Sequence, residues 1–239
     1  MYAFALVILL AAPVFASPVF TDTLPEWFIP LREAVYEQNL NAEEIRPLYR
    51  STVSRANDSL SGADLYIMLS RCEYMMGRAY QYEERNNEAA ARYDEGMANA
   101  ERALEIRSSS EAWQMLAENL SQSIAVRSRA YAMANGLRVE RYSGNALDLN
   151  GRNAAAQYMI AARWVFAPSP LNNLRRGIEM MTAILTDADM QKDDLFNVYS
   201  AIGYAHIQQR RFTEARPWLL KALEIYPTNK YVQSLLTRT

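Results

Sequence analysis

Four stretches of the chain share one pattern of large and small positions. A large residue is followed three positions on by an apolar one, at once by a small residue, and three further on by a larger one. The stretches are Glu73-x-x-Met76-Gly77-x-x-Tyr80, Trp113-x-x-Leu116-Ala117-x-x-Leu120, Gln157-x-x-Ile160-Ala161-x-x-Trp164 and Tyr199-x-x-Ile202-Gly203-x-x-His206. Steps of three and four keep such residues on one helical face, so each stretch predicts a helix. The small residues stand at 77, 117, 161 and 203, spaced 40, 44 and 42 apart. A second signature closes four partner helices: Ala103-Leu104-Glu105-Ile106, Ala146-Leu147-Asp148-Leu149, Ala183-Ile184-Leu185 and Ala222-Leu223-Glu224-Ile225, with the alanines 43, 37 and 39 apart. Polar or turn-forming residues follow each of them.

The pattern has a direct physical meaning. A small residue lets the partner helix approach closely, and the larger residues above and below fill the remaining space. One hairpin cannot bury its apolar face alone, so successive hairpins stack. The prediction is an all-α, right-handed superhelical stack of antiparallel hairpins, with ten to twelve helices in about four hairpins plus a lead-in.

The lead-in carries two predicted helices. Leu31, Ala34, Val35 and Gln38 mark a short one with Pro30 near its start, and Ala42 to Ala56 a second with Ile45, Leu48, Tyr49, Thr52 and Val53 on one face. Asn57 to Gly62 reads as a turn. Between Leu120 and Val139 the chain is about ten residues longer than a plain repeat requires, which predicts an extra helix over Ser121 to Asn135. Met133, Leu137 and Ile124 in that region are expected to line a pocket or a subunit contact. Gly136, Gly144 and Gly151 read as helix stops.

Ahead of this, Phe4 to Ala12 is an almost unbroken apolar run, and Val14-Phe15-Ala16 carries the residues a signal peptidase reads. The run is too short for a stable membrane span, and no Lys or Arg precedes it. The expected division is a signal peptide over residues 1–16, lead-in helices over 17–62 and a repeat domain over 63–239. The mature chain is expected to be exported, in the bacterial periplasm rather than fully secreted, with no stable membrane insertion.

The last unit resembles the tetratricopeptide repeat (TPR) family. Tyr199, Ile202 and Gly203 match the start of its first helix, Ala215, Leu219 and Ala222 the small-large-small positions of its second, and Pro227 its terminal proline. His206 departs, where the family has Tyr. From about Ser109 the chain also resembles the TPR-like regulators of microtubule dynamics and their bacterial relatives. The matching stretches are Asn135-Gly136, Asn145-Ala146-Leu147-Asp148-Leu149, Ala154-Ala155-Ala156 and Ala162-Arg163-Trp164-Val165-Phe166. The resemblance implies a superhelical adaptor and names no partner.

Composition narrows the chemistry. Half the residues are hydrophobic, enough for a sizeable core, and a formal charge of −2 recruits neither nucleic acid nor an anionic membrane surface. The one cysteine, Cys72, lies in an apolar stretch and reads as a buried filler. The one histidine, His206, reads as a packing residue between hairpins, so no Cys–His or Ser–His motif is assigned. Asp187, Asp189, Asp193 and Asp194 form a short acidic stretch without the spacing or glycine of a calcium loop. It reads as a solvated loop in which Asp193 or Asp194 stabilises the start of the next helix. No Gly-rich phosphate loop is present, and no metal, cofactor or catalytic residue is assigned. Arg175-Arg176 and Arg210-Arg211 read as helix-end charges. Glycosylation sequons stand at Asn57 and Asn119, the second inside a predicted helix.

TPR stacks bind on the concave face, which the first helices line. The repeat register places there Arg71, Tyr74, Arg78, Gln81 and Tyr82 in the first unit, Gln114, Glu118 and Gln122 in the second, Tyr158 and Phe166 in the third, and Asn197, Tyr204 and Gln208 in the fourth. Fifteen tyrosines, several on this face, suit a binding surface, because Tyr and Arg combine apolar area with hydrogen bonds. The expected function is a scaffold for a protein or peptide partner, with no enzymatic activity. The alternative is a carrier of a small molecule or lipid, or a transporter accessory. A scaffold predicts an open groove lined by Tyr, Arg and Gln; a carrier, an enclosed apolar pocket; an enzyme, two carboxylates converging in a cleft with displaced pKa values.

Overall fold

The computed structural model describes residues 22–239. The apolar leader and the cleavage point expected after Ala16 lie outside the described residues. Among those described, the secondary structure is helical: α1 (Ile29–Glu37), α2 (Ala42–Ser59), α3 (Gly62–Tyr82), α4 (Asn86–Ile106), α5 (Ser110–Val126), α6 (Arg129–Leu149), α7 (Ala154–Phe166), α8 (Leu174–Asp187), α9 (Lys192–Gln208), α10 (Phe212–Ile225) and α11 (Lys230–Leu236). Helices α3/α4, α5/α6, α7/α8 and α9/α10 form four antiparallel hairpins. The first helix of each also touches the first helix of the next, so α3, α5, α7 and α9 make one continuous inner row. This is the predicted stack of hairpins.

The small positions do what their spacing implies. A Cβ on Gly77 would stand 2.5 Å from the ring of Tyr93 on α4, and one on Gly203 would stand 2.5 Å from Cδ2 of Leu219 on α10. Ala117 and Ala161 are fully buried. In the third hairpin the close approach is made from the other side, where a Cβ on Gly177 of α8 would meet Cγ2 of Val165 at 2.6 Å. The main hydrophobic core runs without interruption from Phe28 to Leu235, so lead-in helices and repeats share one interior.

Helix starts follow capping chemistry. Ser109, Ser128, Asn153, Asn173 and Asn229 each accept a hydrogen bond from a backbone N–H in the first turn of their helix, and Asn41 and Glu44 form a reciprocal capping box. Three sequence expectations are corrected. There is no separate helix over Ser121 to Asn135: Ser128 caps α6, and the added residues lengthen that helix to 21 residues, against 14 in α10. Gly136 and Gly144 lie inside α6 rather than ending it, and only Gly151 stands in a turn. Asn57 belongs to α2, which continues to Ser59. Met133 and Leu137 are 77% and 73% exposed, while Ile124 packs on the core.

The lead-in does more than precede the stack. The Tyr36 ring lies 5.0 Å from that of Tyr226 and 5.5 Å from that of Phe196. The Tyr36 hydroxyl accepts hydrogen bonds from Asn197 Nδ2 at 3.2 Å and Arg78 Nη1 at 3.4 Å. Helix α1 therefore joins the first hairpin to the last. Lys192 donates to Glu33 at 2.5 Å and the Thr228 hydroxyl to the Glu37 carbonyl at 2.7 Å.

Candidate binding site

Two environments occupy the inner face. The first is a tyrosine cluster around one guanidinium. Arg78 donates to the hydroxyls of Tyr74 (3.1 Å), Tyr36 and Tyr82 and lies over all three rings, 4.8 Å from the centroid of Tyr36. Tyrosine faces stabilise a buried cation without a carboxylate. Burial raises the pKa values of Tyr36, Tyr74 and Tyr158, so these phenols stay protonated, while the cationic Arg78 opposes that shift. Gln81 accepts from the Tyr93 hydroxyl at 2.5 Å, and Phe166 stacks on Tyr204 with centroids 5.2 Å apart.

The second environment is an open cavity of about 1050 Å³ with polar and apolar residues in its wall. It opens among the N-terminal turns of the first helices: Asp64 on α3, Glu111 on α5, Asn153 at the cap of α7, and Gln191 and Asp193 at the start of α9 all line it. The acids sit where helix N-termini favour negative charge. Thr23, Leu24 and Pro25 form one wall, held by paired hydrogen bonds between Thr23 and Gln191 of 3.1 and 2.8 Å. The rim charges are matched within hairpins, Arg107 with Asp64 in the first and Arg152 with Asp189 at 2.8 Å in the third.

The floor is knitted by amides. Asn153 Nδ2 donates to Ser110 Oγ at 2.9 Å and Gln114 Oε1 at 3.0 Å, and its Oδ1 accepts from Ala156 N. Gln114 Nε2 in turn donates to Glu118 at 3.4 Å. Burial raises the Glu118 carboxyl to about 7, with Asp193 adding to the shift and Arg71, the Gln114 bond and Arg78 opposing it. Burial and the neighbouring Asp193 also raise Asp194, whose Oδ2 accepts from Gln191 N at 2.9 Å and caps α9. The acidic stretch is thus not a solvated loop throughout: Asp193 and Asp194 are 7% and 9% exposed. The expected helix-start role holds for Asp194.

Two polar groups of the cavity lining are unsatisfied. Arg71 makes no hydrogen bond or ion pair among the described residues, and its Nε is buried. Asp193 Oδ1 is buried without a hydrogen bond and stands 3.7 Å from Nη1 of Arg32, a longer approach than a hydrogen bond.

The residues expected on the concave face therefore divide. Arg71 and Gln114 line the cavity, with Glu118 behind them. Arg78 and Asn197 are engaged by Tyr36 of the chain's own α1, and Tyr74 by Arg78 and the ring of Tyr93. Tyr82, Phe166 and Gln208 are exposed, and Gln81, Gln122, Tyr158 and Tyr204 are half-buried. The register did not point to Arg32, Tyr36, Asn153 or the Thr23 wall. For these the one sequence signal is that Asn153 precedes an apolar helix and reads as a cap. His206 is half-buried and its pKa is lowered by burial, consistent with packing. Of the basic pairs, Arg175 bonds Glu179 at 2.9 Å and Arg176 lies 4.1 Å from the centroid of Trp164. No described helix is long and apolar enough to cross a membrane.

Comparison with known proteins gives a short match at the C-terminal end. The family model described as tetratricopeptide repeat matches residues 196–229, which covers most of α9, all of α10 and the turn after it. Among solved structures the chain is similar to YrrB, described as a TPR protein with an unusual peptide-binding site. The identity is 14%, the alignment covers 85% of this chain and 96% of that one, and the TM-score is 0.37. No curated protein matches the chain. The resemblance of the C-terminal half to regulators of microtubule dynamics draws no support from these matches.

Proposed function

We propose that this chain is an exported TPR-like scaffold of the cell envelope, periplasmic in a bacterium, that holds a protein or peptide partner on its inner face. The observation that carries the reading is the cavity of about 1050 Å³ among the starts of the first helices, with Arg71 unpaired in its wall. Such an opening gathers residues from four successive hairpins, which is how a stacked repeat builds a binding surface larger than any one unit. Export is supported by the leader pattern over residues 4–16.

The carrier alternative asks for an enclosed apolar chamber. Here the wall carries Arg71, Arg107, Arg152, Asp64, Glu111 and Asp193 instead, which suits polar recognition. Glu118 and Asp194 do converge near the floor with raised pKa values, as a hydrolase would require. Asp194 is engaged as a helix cap, however, and Glu118 stands behind Gln114, outside the cavity lining. Binding is the reading that uses the groups facing the space.

The test is capture from envelope extract with the mature chain, followed by titration of the purified partner against wild type and Arg71→Gln. A partner that binds directly and weakens about tenfold on Arg71→Gln supports the proposal. Stoichiometric co-purification of a lipid or metabolite with no protein enriched overturns it. So does recovery of the tagged chain in the cytoplasm with its leader uncleaved.

A further inference from the structure

We infer that Asn150 is a site of spontaneous deamidation, converted by water to aspartate and isoaspartate at the edge of the cavity, while the same dipeptide inside α6 is spared. The modification is independent of any partner held on the inner face.

The chain contains Asn-Gly twice, at Asn135-Gly136 and Asn150-Gly151. Deamidation needs the glycine backbone nitrogen to reach Cγ of the asparagine, with neither held back. Asn150 and Gly151 are both exposed, in the turn between α6 and α7. Asn150 Oδ1 accepts from Arg152 N at 3.0 Å, which folds the side chain back over the Gly151 peptide and makes Cγ more electrophilic. Gly151 N and Asn150 Nδ2 have no hydrogen-bond partner among the described residues. The attacking and the leaving nitrogen are therefore both free, while the carbonyl oxygen is held. The turn itself does not need a glycine. The φ of Gly151 is not left-handed, and a Cβ there would meet only Leu147 O, at 3.9 Å.

Asn135-Gly136 is the opposite case. Gly136 lies inside α6, so its N–H belongs to the helical ladder. Asn135 is buried; its Nδ2 donates to Tyr131 O at 3.0 Å and its Oδ1 accepts from Arg138 at 2.8 Å. Attack there requires the helix to open first.

The step balances with water alone. Gly151 N bonds to Asn150 Cγ, the Cγ–Nδ2 bond breaks, and the amide nitrogen leaves as ammonia with the proton from Gly151 N. Water then opens the cyclic imide at Cγ, giving aspartate, or at the main-chain carbonyl carbon, giving isoaspartate. Either product adds a carboxylate to the cavity lining beside the Arg152–Asp189 pair. Isoaspartate also lengthens the main chain by a methylene next to the cap of α7, where Asn150 O accepts from Asn153 N.

The experiment is ageing of the mature chain in warm buffer at about pH 8, followed by tryptic peptide mapping. Cleavage after Arg129, Arg138, Arg141 and Arg152 puts the two dipeptides on separate peptides. Acid should accumulate at Asn150 about tenfold or more faster than at Asn135. The rate should rise with pH, because the attacking N–H must lose its proton. In urea, where the fold no longer distinguishes them, the two sites should convert at similar rates. Gly151→Ala has room for its side chain, so it should melt like wild type and slow the conversion about tenfold by crowding the attacking nitrogen. Equal conversion of Asn135 and Asn150 in the folded chain overturns the inference. So does an Asn150 that converts in urea and not in the folded chain, or a Gly151→Ala protein that melts and converts like wild type.

Discussion

The side-chain amide of Asn229 donates a 2.6 Å hydrogen bond to the backbone carbonyl of Tyr36, 193 residues earlier, while Asn229 Oδ1 caps α11 by accepting from Val232 N. One fully buried asparagine thus fixes both the last helix and the lead-in helix α1. The Tyr36 side chain completes the tie, with its ring against both Phe196 and Tyr226, which also touch each other, and its hydroxyl on Asn197. Tyr36→Ala should therefore lower unfolding stability by about 3–5 kcal/mol, the usual cost of emptying a large aromatic site. Tyr36→Phe keeps the ring packing and gives up the hydroxyl's bonds, so it should cost about 1 kcal/mol. Urea unfolding of the three proteins checks this. Similar losses for both variants would show that the ring packing is not what holds α1 in place.

Glycines separate into those that permit an approach and those that permit nothing. Gly203 faces Leu219 at a distance no Cβ tolerates, whereas a Cβ on Gly144 would have nothing within 4 Å. Gly203→Leu should splay the last hairpin and cost about 3 kcal/mol through overpacking. Gly144→Ala, inside α6, should gain about 0.5–1 kcal/mol, because alanine is the better helix former. Melting temperatures moving in opposite directions would confirm both assignments. A Gly203→Leu protein that melts like wild type would mean α9 and α10 are not in this register.

The repeat was legible because it is written in local spacing. Gly77, Ala117, Ala161 and Gly203 recur at helical positions whose neighbours follow within a turn. The closure by α1 was not legible. Contacts such as Thr23 to Gln191 and Tyr36 to Asn197 span more than 160 residues and leave no period in the chain. The same closure explains the misread acids. Asp193 looks solvated among its sequence neighbours, and its burial depends on Arg32 arriving from the lead-in. Gly136 and Gly144 misled for a different reason: a glycine on an exposed helix costs only about 1 kcal/mol, which a 21-residue helix absorbs. Concave-face register named Arg71 and Gln114, and both line the cavity, because that face is set by the small-residue positions. It could not foresee that Tyr36 of α1 would engage Arg78 and Asn197.

Cys72 offers a direct probe of opening. Its side chain is fully buried, and burial, reinforced by the Glu73 charge and opposed by Arg71, pushes the thiol up to about 12. The thiolate is the reactive form, so native protein should react with a thiol reagent at pH 8 only through unfolding. The labelling rate should rise with urea in parallel with the unfolded fraction. Rapid stoichiometric labelling of the folded chain would contradict the packing of α3.

Glu118 makes the stability of the fold depend on pH with an unusual sign. Burial, with Asp193 in support, raises its carboxyl from 4.5 to about 7, against the opposing pull of Arg71, Gln114 and Arg78. Between those values the folded chain holds a proton that the unfolded chain releases. Stability contributed by this group is therefore fully present at low pH and declines as pH rises from about 4.5 through about 7. The shift corresponds to a loss on the order of 3 kcal/mol across that window. Asp194, also raised and also facing Asp193 and Arg71, acts in the same direction. Glu118→Gln keeps an amide of nearly the same shape beside Gln114 and carries no charge, so it should be more stable than wild type at pH 8 and equal to it near pH 4.5. The measurement is the urea midpoint of both proteins from pH 4.5 to 8. If the wild-type midpoint does not fall relative to Glu118→Gln as pH rises, Glu118 is not a desolvated carboxyl, and the floor of the cavity is wetter than its packing implies.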